Sequence, residues 1–182
     1  MKRWIGLTLA GCFLGAGLAP AEVQTGSRSV RGKKSTTSEN SRQVKIEPGD
    51  WNQFRGPNRD NLSPETGLAD KWPEGGPELL QTISGIGEGY ASVSLVGDLM
   101  YTMGNVDGGE QVIALDRSTG KIVWKTRNGD EYTEGQGNGP RGTPTVIDGK
   151  VYSLGGNGDL SCLDAESGKV VWQGNILKEF GG

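Results

Sequence analysis

The apolar residues between positions 90 and 174 fall into short runs that are separated by turn residues. Dipeptides such as Gly97-Asp98, Asp148-Gly149 and Asn157-Gly158 lie between the runs, and they suit hairpin turns whose residues take positive φ. Runs such as Val151–Leu154 do not alternate cleanly between apolar and polar residues, which is typical of sheets that are covered on both faces. The pattern predicts eight short strands, near residues 90–96, 99–103, 111–116, 121–127, 142–147, 150–155, 159–164 and 169–174.

The eight strands form two groups of four that are copies of one sequence repeat. The segment Leu115–Trp124 (LDRSTGKIVW) recurs 48 residues later as Leu163–Trp172 (LDAESGKVVW), whereas Tyr101 recurs 51 residues later as Tyr152. The difference places extra residues in a hairpin of the first copy. Tandem four-stranded units of about 40–50 residues are typical of propeller blades. The predicted fold class is therefore an all-β propeller, with about two blades present.

Each repeat carries a turn between its third and fourth strands with the pattern Asp-x-x-Ser/Thr-Gly-Lys. The carboxylates of Asp116 and Asp164 are expected to accept hydrogen bonds from backbone N–H groups two or three residues further on. Gly120 and Gly168 then take the left-handed conformation that closes the hairpin. A metal-binding loop is the alternative interpretation, but these segments have too few carboxylates at ligand spacing.

Trp124 and Trp172 occupy the same position of the repeat, in its fourth strand. Because each repeat packs against its neighbours, we expect both side chains to lie between blades rather than to form a platform for a ligand. Cys162 lies in the third strand of the second copy. It is expected to be a small buried apolar residue.

The repeat resembles a known family. Residues Thr143–Trp172 match the pattern T-P-x-V-x-x-G-x-V-Y followed by L-x-x-L-D-x-x-[ST]-G-K-x-V-W, which resembles the PQQ-like (pyrroloquinoline quinone) β-propeller repeats of BamB-like and quinoprotein-like proteins. The first copy matches less fully. The segment Trp51–Asp60 (WNQFRGPNRD) is similar to the lead-in of family members. The resemblance implies that a strand near residues 78–83 completes the last blade of a closed ring, and that this last blade is missing.

A closed propeller typically has four to eight blades, so the two blades predicted here form an incomplete ring. We therefore expect the sequence to be the N-terminal fragment of a longer protein. The alternative is a two-blade unit that associates with copies of itself, since an isolated pair of blades would expose sheet faces and strand edges.

The first 21 residues have the pattern of a secretory signal peptide. A basic start at Met1–Arg3 precedes the uncharged stretch Trp4–Leu18, and Ala19-Pro20-Ala21 offers a cleavage site. The stretch is shorter than the about 20 residues of a membrane-spanning helix, so no transmembrane helix is predicted. Leu9–Cys12 (LAGC) also matches a lipobox, and a lipoprotein anchored at Cys12 is the alternative. Both interpretations predict export, to the periplasm or out of the cell.

Charge and polarity divide the rest of the chain. Residues 22–50 are predicted to be a disordered basic linker, because they contain too few apolar side chains to form a core. Residues 51–182 carry 18 acidic and 11 basic side chains and are acidic overall. The predicted divisions are a lead-in segment with the closing strand, blade 1, and blade 2 with the start of the next connection, at residues 51–89, 90–127 and 128–182.

Composition excludes several classes of function. The 182 residues include 32 glycines, which disfavours a helical bundle. They include no histidine, which excludes Ser-His-Asp catalysis, histidine-bound zinc and c-type haem attachment within this sequence. The formal net charge of −3 argues against a nucleic-acid-binding protein. Asn105–Glu110 has oxygen atoms at a spacing that suits calcium, but a hairpin tip is the preferred interpretation, and no metal or catalytic residue is predicted.

The candidate ligand-binding residues lie just before the first strand of each blade. In a propeller the first strand lines the channel, so the preceding loops lie at the channel mouth. Glu88 and Tyr90 lie in one of these loops and Asn138 and Arg141 in the other. The alternative is ordinary loop polarity, with Arg141 paired to a neighbouring carboxylate.

Two functions fit these observations. The first is an exported binding or scaffolding module, which recruits a protein partner or a polymer ligand through strand edges and blade loops and is not catalytic by itself. The second is the N-terminal part of a PQQ-dependent alcohol or polyvinyl-alcohol dehydrogenase. The family resemblance alone implies PQQ with calcium as the cofactor, and fold alone does not decide function.

Overall fold

The computed structural model describes residues 46–182. These residues form eight strands and one short helix, namely β1 (Ser94–Val96), β2 (Leu99–Val106), β3 (Gly109–Asp116), β4 (Ile122–Gly129), β5 (Thr145–Ile147), β6 (Lys150–Leu154), β7 (Asp159–Asp164), β8 (Val170–Asn175) and α1 (Ile176–Phe180). The predicted signal peptide, the alternative lipid attachment at Cys12 and the predicted linker up to residue 45 lie outside the described residues.

The strands form two four-stranded antiparallel sheets, in the orders β1-β2-β3-β4 and β5-β6-β7-β8. This arrangement confirms the all-β class and the two predicted blades. β1 and β5 are shorter than predicted, because the chain before each of them leaves the sheet to join the opposite loop. Tyr90 N–H, for example, donates to the Pro140 carbonyl at 2.8 Å instead of pairing within the first sheet.

The β2–β3 hairpin is longer and tighter than predicted. β2 continues to Val106 and β3 begins at Gly109, so only Asp107 and Gly108 form the turn. Their φ angles of 55° and 76° are those of a type I′ turn, which matches the twist of the flanking strands. The hairpin-tip interpretation of Asn105–Glu110 is thus confirmed.

The strand predicted near residues 78–83 does not form in the described part of the chain. A strand needs a hydrogen-bonded partner, and no described residue pairs with this segment. Leu80 is 87% exposed. Gln81 and Ile83 nevertheless lie against the turn of the first sheet, since a Cβ added at Gly120 would be 2.8 Å from Gln81 Nε2 and 3.0 Å from Ile83 Cγ1.

The hydrophobic core lies between the two sheets. Burial is greatest in β3, which has a sheet neighbour on each side and loses water from both faces. The two sheets share one apolar cluster, which consists of Val96, Tyr101, Met103, Val112, Ala114, Val146, Val151, Leu163 and Ala165. The second sheet therefore packs on the first through opposite faces of the repeat, because Tyr101 and Ala114 are paired on one face of the first sheet, whereas Val151 and Leu163 of the second sheet lie on the other.

The lead-in segment binds the innermost strands of both sheets. Trp51 forms an antiparallel bridge with Leu95 of β1, with N–H···O distances of 2.8 Å in both directions. The Asn52 carbonyl accepts from the N–H of Val146 in β5 at 2.8 Å. Asp50 is buried and its Oδ1 accepts from the Gly97 N–H at 2.9 Å. Asp50, the last residue of the predicted linker, is therefore fixed to the first sheet, because its carboxylate caps the β1–β2 turn.

Candidate functional site

The four candidate binding residues lie on two loops that contact each other, residues 85–90 and 132–141. Glu88 forms a reciprocal pair of backbone hydrogen bonds with Asn105 at 3.1 and 2.7 Å. Tyr90 is joined to the second loop through the Pro140 carbonyl. Since both loops precede the innermost strand of a sheet, these contacts bring the predicted residues together at one end of the molecule.

Arg141 is enclosed by partners of its own loop and its neighbour. Its guanidinium carbon lies 5.2 Å from the ring centre of Tyr90 and 4.8 Å from that of Tyr132, a cation–π arrangement. Its Nη2 donates to Glu134 Oε1 at 2.6 Å and to the Gly137 carbonyl at 2.9 Å. Arg141 is thus paired with a neighbouring carboxylate, that of Glu134, which is the alternative that the sequence analysis gave. Arg141 therefore stabilises the loop, and its charge is already balanced.

The remaining candidates are held less tightly. Asn138 Nδ2 donates to Glu88 Oε2 at 3.3 Å, and the Tyr90 hydroxyl donates to the Gln136 carbonyl at 3.4 Å. Both bonds are long and exposed, so these groups are free to exchange partners with a ligand. Gly137 permits the close approach of Tyr90, because a Cβ at that position would be 2.2 Å from the tyrosine oxygen.

A buried polar network lies between the sheets beside these loops. Both carboxylate oxygens of Glu110 accept from the Gly156 N–H, at 3.0 and 3.1 Å. Asn128 Oδ1 accepts from the hydroxyls of Ser153 and Ser161 at 2.9 and 2.6 Å. All four of these polar side chains are buried. Sequence analysis missed this network, although polar residues within otherwise apolar central strands were a usable signal.

The pKa of the Glu110 carboxyl is raised above its ordinary value. Burial is the main cause, and the nearby charge of Asp159 adds to it. The hydrogen bond from the Gly156 N–H and the charge of Arg141 act in the opposite direction. The network thus contains a carboxyl whose charge is costly between two sheets.

An open cleft of about 680 Å³ lies where β4 and β8 end. Its lining is polar and consists of Arg127, Asn128, Gly129, Asp130, Glu131, Asn157, Asp159, Gln173, Asn175 and Lys178. Arg127 is paired with Asp130 at 2.8 Å, and Asn175 Nδ2 donates to Asp159 Oδ1 at 2.8 Å. The lining includes amides, carboxylates and cations, so the cleft offers hydrogen-bond donors and acceptors without a strong net charge.

The repeated turns have the predicted geometry. Asp116 Oδ1 accepts from the N–H groups of Ser118 and Thr119 at 3.1 and 2.8 Å and from both hydroxyls. The Ser118 hydroxyl contributes most to lowering the pKa of Asp116 to about 2. Gly120 closes the turn with a φ of 67°.

The second turn repeats the first with one fewer hydroxyl donor. Asp164 Oδ1 accepts from the Ser167 N–H and hydroxyl at 3.0 and 2.7 Å, and Gly168 has a φ of 68°. Burial alone would raise the pKa of Asp164, but the bonds from Ser167 and Lys150 lower it overall. These carboxylates are occupied by their own turns.

The predicted inter-sheet position of Trp124 is observed. Its Nε1 donates to the Ala165 carbonyl at 3.1 Å. A Cβ at Gly168 would be 2.5 Å from its ring, so only glycine allows this contact. Trp172 makes the equivalent ring contact with Tyr152, at 6.2 Å, but no described sheet covers it. Cys162 is buried, as predicted.

Metal-ligating side chains are not clustered into a site in the described residues. Residues 46–182 contain no group of three or more cysteine, aspartate or glutamate side chains arranged to hold a metal ion. No chemical step through PQQ or calcium is therefore assigned to these residues. The same part of the chain also lacks a helix with the length and apolar character needed to cross a bilayer.

Comparison with known families gives one match that covers more than half of the chain. The PQQ_2 model, described as outer membrane protein assembly factor BamB, matches residues 73–175. The match includes both sheets and the residues just before them.

Curated relatives belong to two groups. Over 81 residues the chain is 35% identical to the quinate/shikimate dehydrogenase (quinone) of Acinetobacter baylyi, covering 40% of this chain and 10% of the relative. Over 68 residues it is 37% identical to outer membrane protein assembly factor BamB of Moranella endobia, covering 36% of this chain and 18% of the relative. The matched region thus spans less than a fifth of these relatives.

Two solved structures resemble the fold. A europium-containing methanol dehydrogenase matches 71% of this chain and 23% of its own, with a TM-score of 0.53 and 21% identity. The quinohemoprotein alcohol dehydrogenase ADHIIG from Pseudomonas putida matches 71% of this chain and 19% of its own, with a TM-score of 0.52 and 24% identity. At these identities the likeness shows the shared β-propeller fold alone.

Proposed function

The chain belongs to the PQQ-like β-propeller family described as outer membrane protein assembly factor BamB, and on that basis we propose that it is an exported module that binds or scaffolds other proteins. In this proposal the chain is not catalytic by itself. The loops at residues 85–90 and 132–141 are bonded to each other, and β8, the outer strand of the second sheet, offers an apolar surface to a partner.

The observation that carries the proposal is the difference between two equivalent tryptophans. Trp124 is half-buried beneath the second sheet and bonded to the Ala165 carbonyl. Trp172 occupies the same repeat position but is 45% exposed, and Val170 and Val171 beside it are exposed, as are their counterparts in β4, so the tryptophan alone distinguishes the two strands. Apolar side chains grouped on one strand of a soluble protein are typical of an interaction surface. We therefore assign β8 as the surface that meets further blades or another protein.

Site-specific photocrosslinking in the native host tests this assignment. A photoreactive phenylalanine analogue replaces Trp172 in one variant and Trp124 in a matched control. We expect the first variant to form adducts with polypeptide outside residues 46–182, identified by mass spectrometry. The control should form adducts only within the second sheet. Equal adduct patterns, or none from position 172, would contradict the proposal.

The export part of the proposal rests on the N-terminal sequence. Export is tested by cell fractionation of the native host and by the intact mass of the mature protein purified from it. Cleavage after Ala21 leaves Glu22 as the first residue, whereas lipidation leaves a modified Cys12. An uncleaved chain in the cytoplasm would contradict export.

A second candidate is favoured by the similarity to quinone-dependent dehydrogenases. In it, the chain is the N-terminal part of a PQQ-dependent alcohol or polyvinyl-alcohol dehydrogenase, and residues outside 46–182 supply the cofactor site. Dye-linked oxidation of ethanol and polyvinyl alcohol, with added PQQ and Ca²⁺, tests it on the protein purified from its host. Turnover would replace the non-catalytic proposal, and the absence of turnover would remove the second candidate.

A further inference from the structure

Residues 53–60, here named the arginine knot, form a compact loop beside the innermost strands. The Gln53 carbonyl accepts from the Gly56 N–H, and the Gly56 carbonyl accepts from the Arg59 N–H, both at 3.0 Å. Gln53 Nε2 donates to the Pro57 carbonyl at 3.0 Å. Because Trp51 and Asn52, just before the knot, are bonded to β1 and β5, the knot is fixed to both sheets.

The backbone of this region is held in an unfavourable conformation. Arg55, Arg59 and Asn61 have φ angles of 68°, 59° and 63°. Side-chain-bearing residues avoid this left-handed region, and such residues concentrate at functional sites. Glycine would relieve the strain at each position, yet the sequence has arginine at two of them. The backbone conformation therefore directs two long cationic side chains.

The two guanidinium groups retain free hydrogen-bond donors. Arg59 Nε donates to Gln53 Oε1 at 2.9 Å, which orients the group and leaves its two terminal nitrogens available. Arg55 has no ion pair and no side-chain hydrogen bond within residues 46–182. The acidic residue of the knot, Asp60, accepts from the Leu62 N–H at 2.9 Å. The knot thus carries two cations without a paired carboxylate.

These side chains surround a cavity of about 360 Å³, which is lined by Gln53, Phe54, Arg55, Arg59 and Thr145. Guanidinium groups bind planar carboxylates through two parallel hydrogen bonds. Phe54 is 63% exposed, so its ring can pack against an aromatic or apolar body. We propose that the arginine knot is a binding site for a small aromatic carboxylate, held by Arg55 and Arg59 with its ring on Phe54. This site is separate from the β8 surface of the proposed function.

Titration of the full chain with benzoate tests the proposal. Binding is monitored by ¹H–¹⁵N NMR, which locates the site, and by calorimetry, which gives the affinity. Acetate and benzyl alcohol serve as probes that keep only the carboxylate or only the ring. We expect saturable benzoate binding with shifts centred on residues 53–60, and weaker binding of both partial probes. Arg55→Gln and Arg59→Gln should each weaken binding by about tenfold or more, since a charge-assisted pair is lost.

The control is Arg117→Gln, which removes an exposed arginine from the β3–β4 turn and should leave benzoate binding unchanged. Arg55→Lys keeps the charge but loses the planar donor pair, so it should bind with intermediate affinity. Circular dichroism of each variant establishes that the sheets are intact. Benzoate binding that is unaffected by both glutamine variants, or reduced equally by the Arg117 variant, overturns the proposal. So does acetate binding as tight as benzoate binding.

Discussion

Replacing Trp124 by alanine will destabilise the protein far more than the same change at Trp172. The substitution removes the contacts of Trp124 with the second sheet and one of the two donors to the Ala165 carbonyl, which keeps only the Tyr101 hydroxyl at 3.3 Å. Removing a fully buried tryptophan costs about 3–5 kcal/mol, and the half-burial of Trp124 places its loss at the lower end of that range, about 3 kcal/mol. Trp172 is 45% exposed and keeps only neighbours of its own sheet, so its loss costs about 1 kcal/mol.

Urea denaturation, followed by far-ultraviolet circular dichroism, measures both free energies of unfolding under one condition. The pair is well matched, because the two residues share one repeat position and a similar tyrosine contact, at 6.0 Å for Tyr101–Trp124 and 6.2 Å for Tyr152–Trp172. We expect a difference of about 2 kcal/mol between the variants. Equal losses would refute the argument that inter-sheet packing, rather than contacts within each sheet, gives Trp124 its importance.

Three further predictions concern the repeat turns and the buried carboxyl. Gly168→Ala should be about 1–3 kcal/mol more destabilising than Gly108→Ala in denaturant titrations, because both have positive φ but only the former places a Cβ against Trp124, at 2.5 Å. The pKa of Asp116 is lowered from 3.8 to about 2, so this carboxylate contributes stability above about pH 4 that is lost as pH falls through 2. Asp116→Asn should remove this acid dependence from unfolding curves measured across that range. The pKa of Glu110 is raised above 4.5, so the free energy of unfolding of the wild-type protein should fall as pH rises from 4.5 through the raised pKa. Glu110→Gln should abolish that decline. A variant whose stability depends on pH as the wild type does would contradict the cost assigned to burying this carboxylate.

The strand pattern of this protein follows from local sequence. Asp-Gly and Asn-Gly dipeptides and the Asp-x-x-Ser/Thr-Gly-Lys turns act over two to five residues, so their conformations do not depend on distant contacts. Because the pattern occurs twice, it predicts two sheets of the same kind and places Trp124 and Trp172 at the same position in each. Two other features depend on partners that are distant in the chain. Residues 78–83 remain without a ladder partner, and Asp50 is ordered because Gly97, far along the chain, donates to it.

Ligand binding by the four candidate residues stays a prediction, and the structure adds the bonds that hold their loops. Glu88, Tyr90, Asn138 and Arg141 meet as expected from the loop positions. The sequence could not indicate that Glu134 and Tyr132 would enclose Arg141, because several acidic and aromatic residues lay equally near in sequence. It also did not reveal the Glu110 network, whose partner Gly156 is 46 residues away.

The all-β class, the repeat and the closing turns could be predicted from the amino-acid sequence, because each depends on short-range backbone preference and on a pattern that occurs twice. Which charged side chains are neutralised and which remain available depends on the folded arrangement of the loops. Arg141 and Arg55 look alike in sequence, yet one is paired with a carboxylate and the other lines an open cavity without a partner in residues 46–182. Glu134 is only seven residues from Arg141 in the chain, but the fold of that loop brings the two together and adds the ring of Tyr90 from the other loop, whereas the loop around Arg55, at residues 53–60, places no carboxylate beside it.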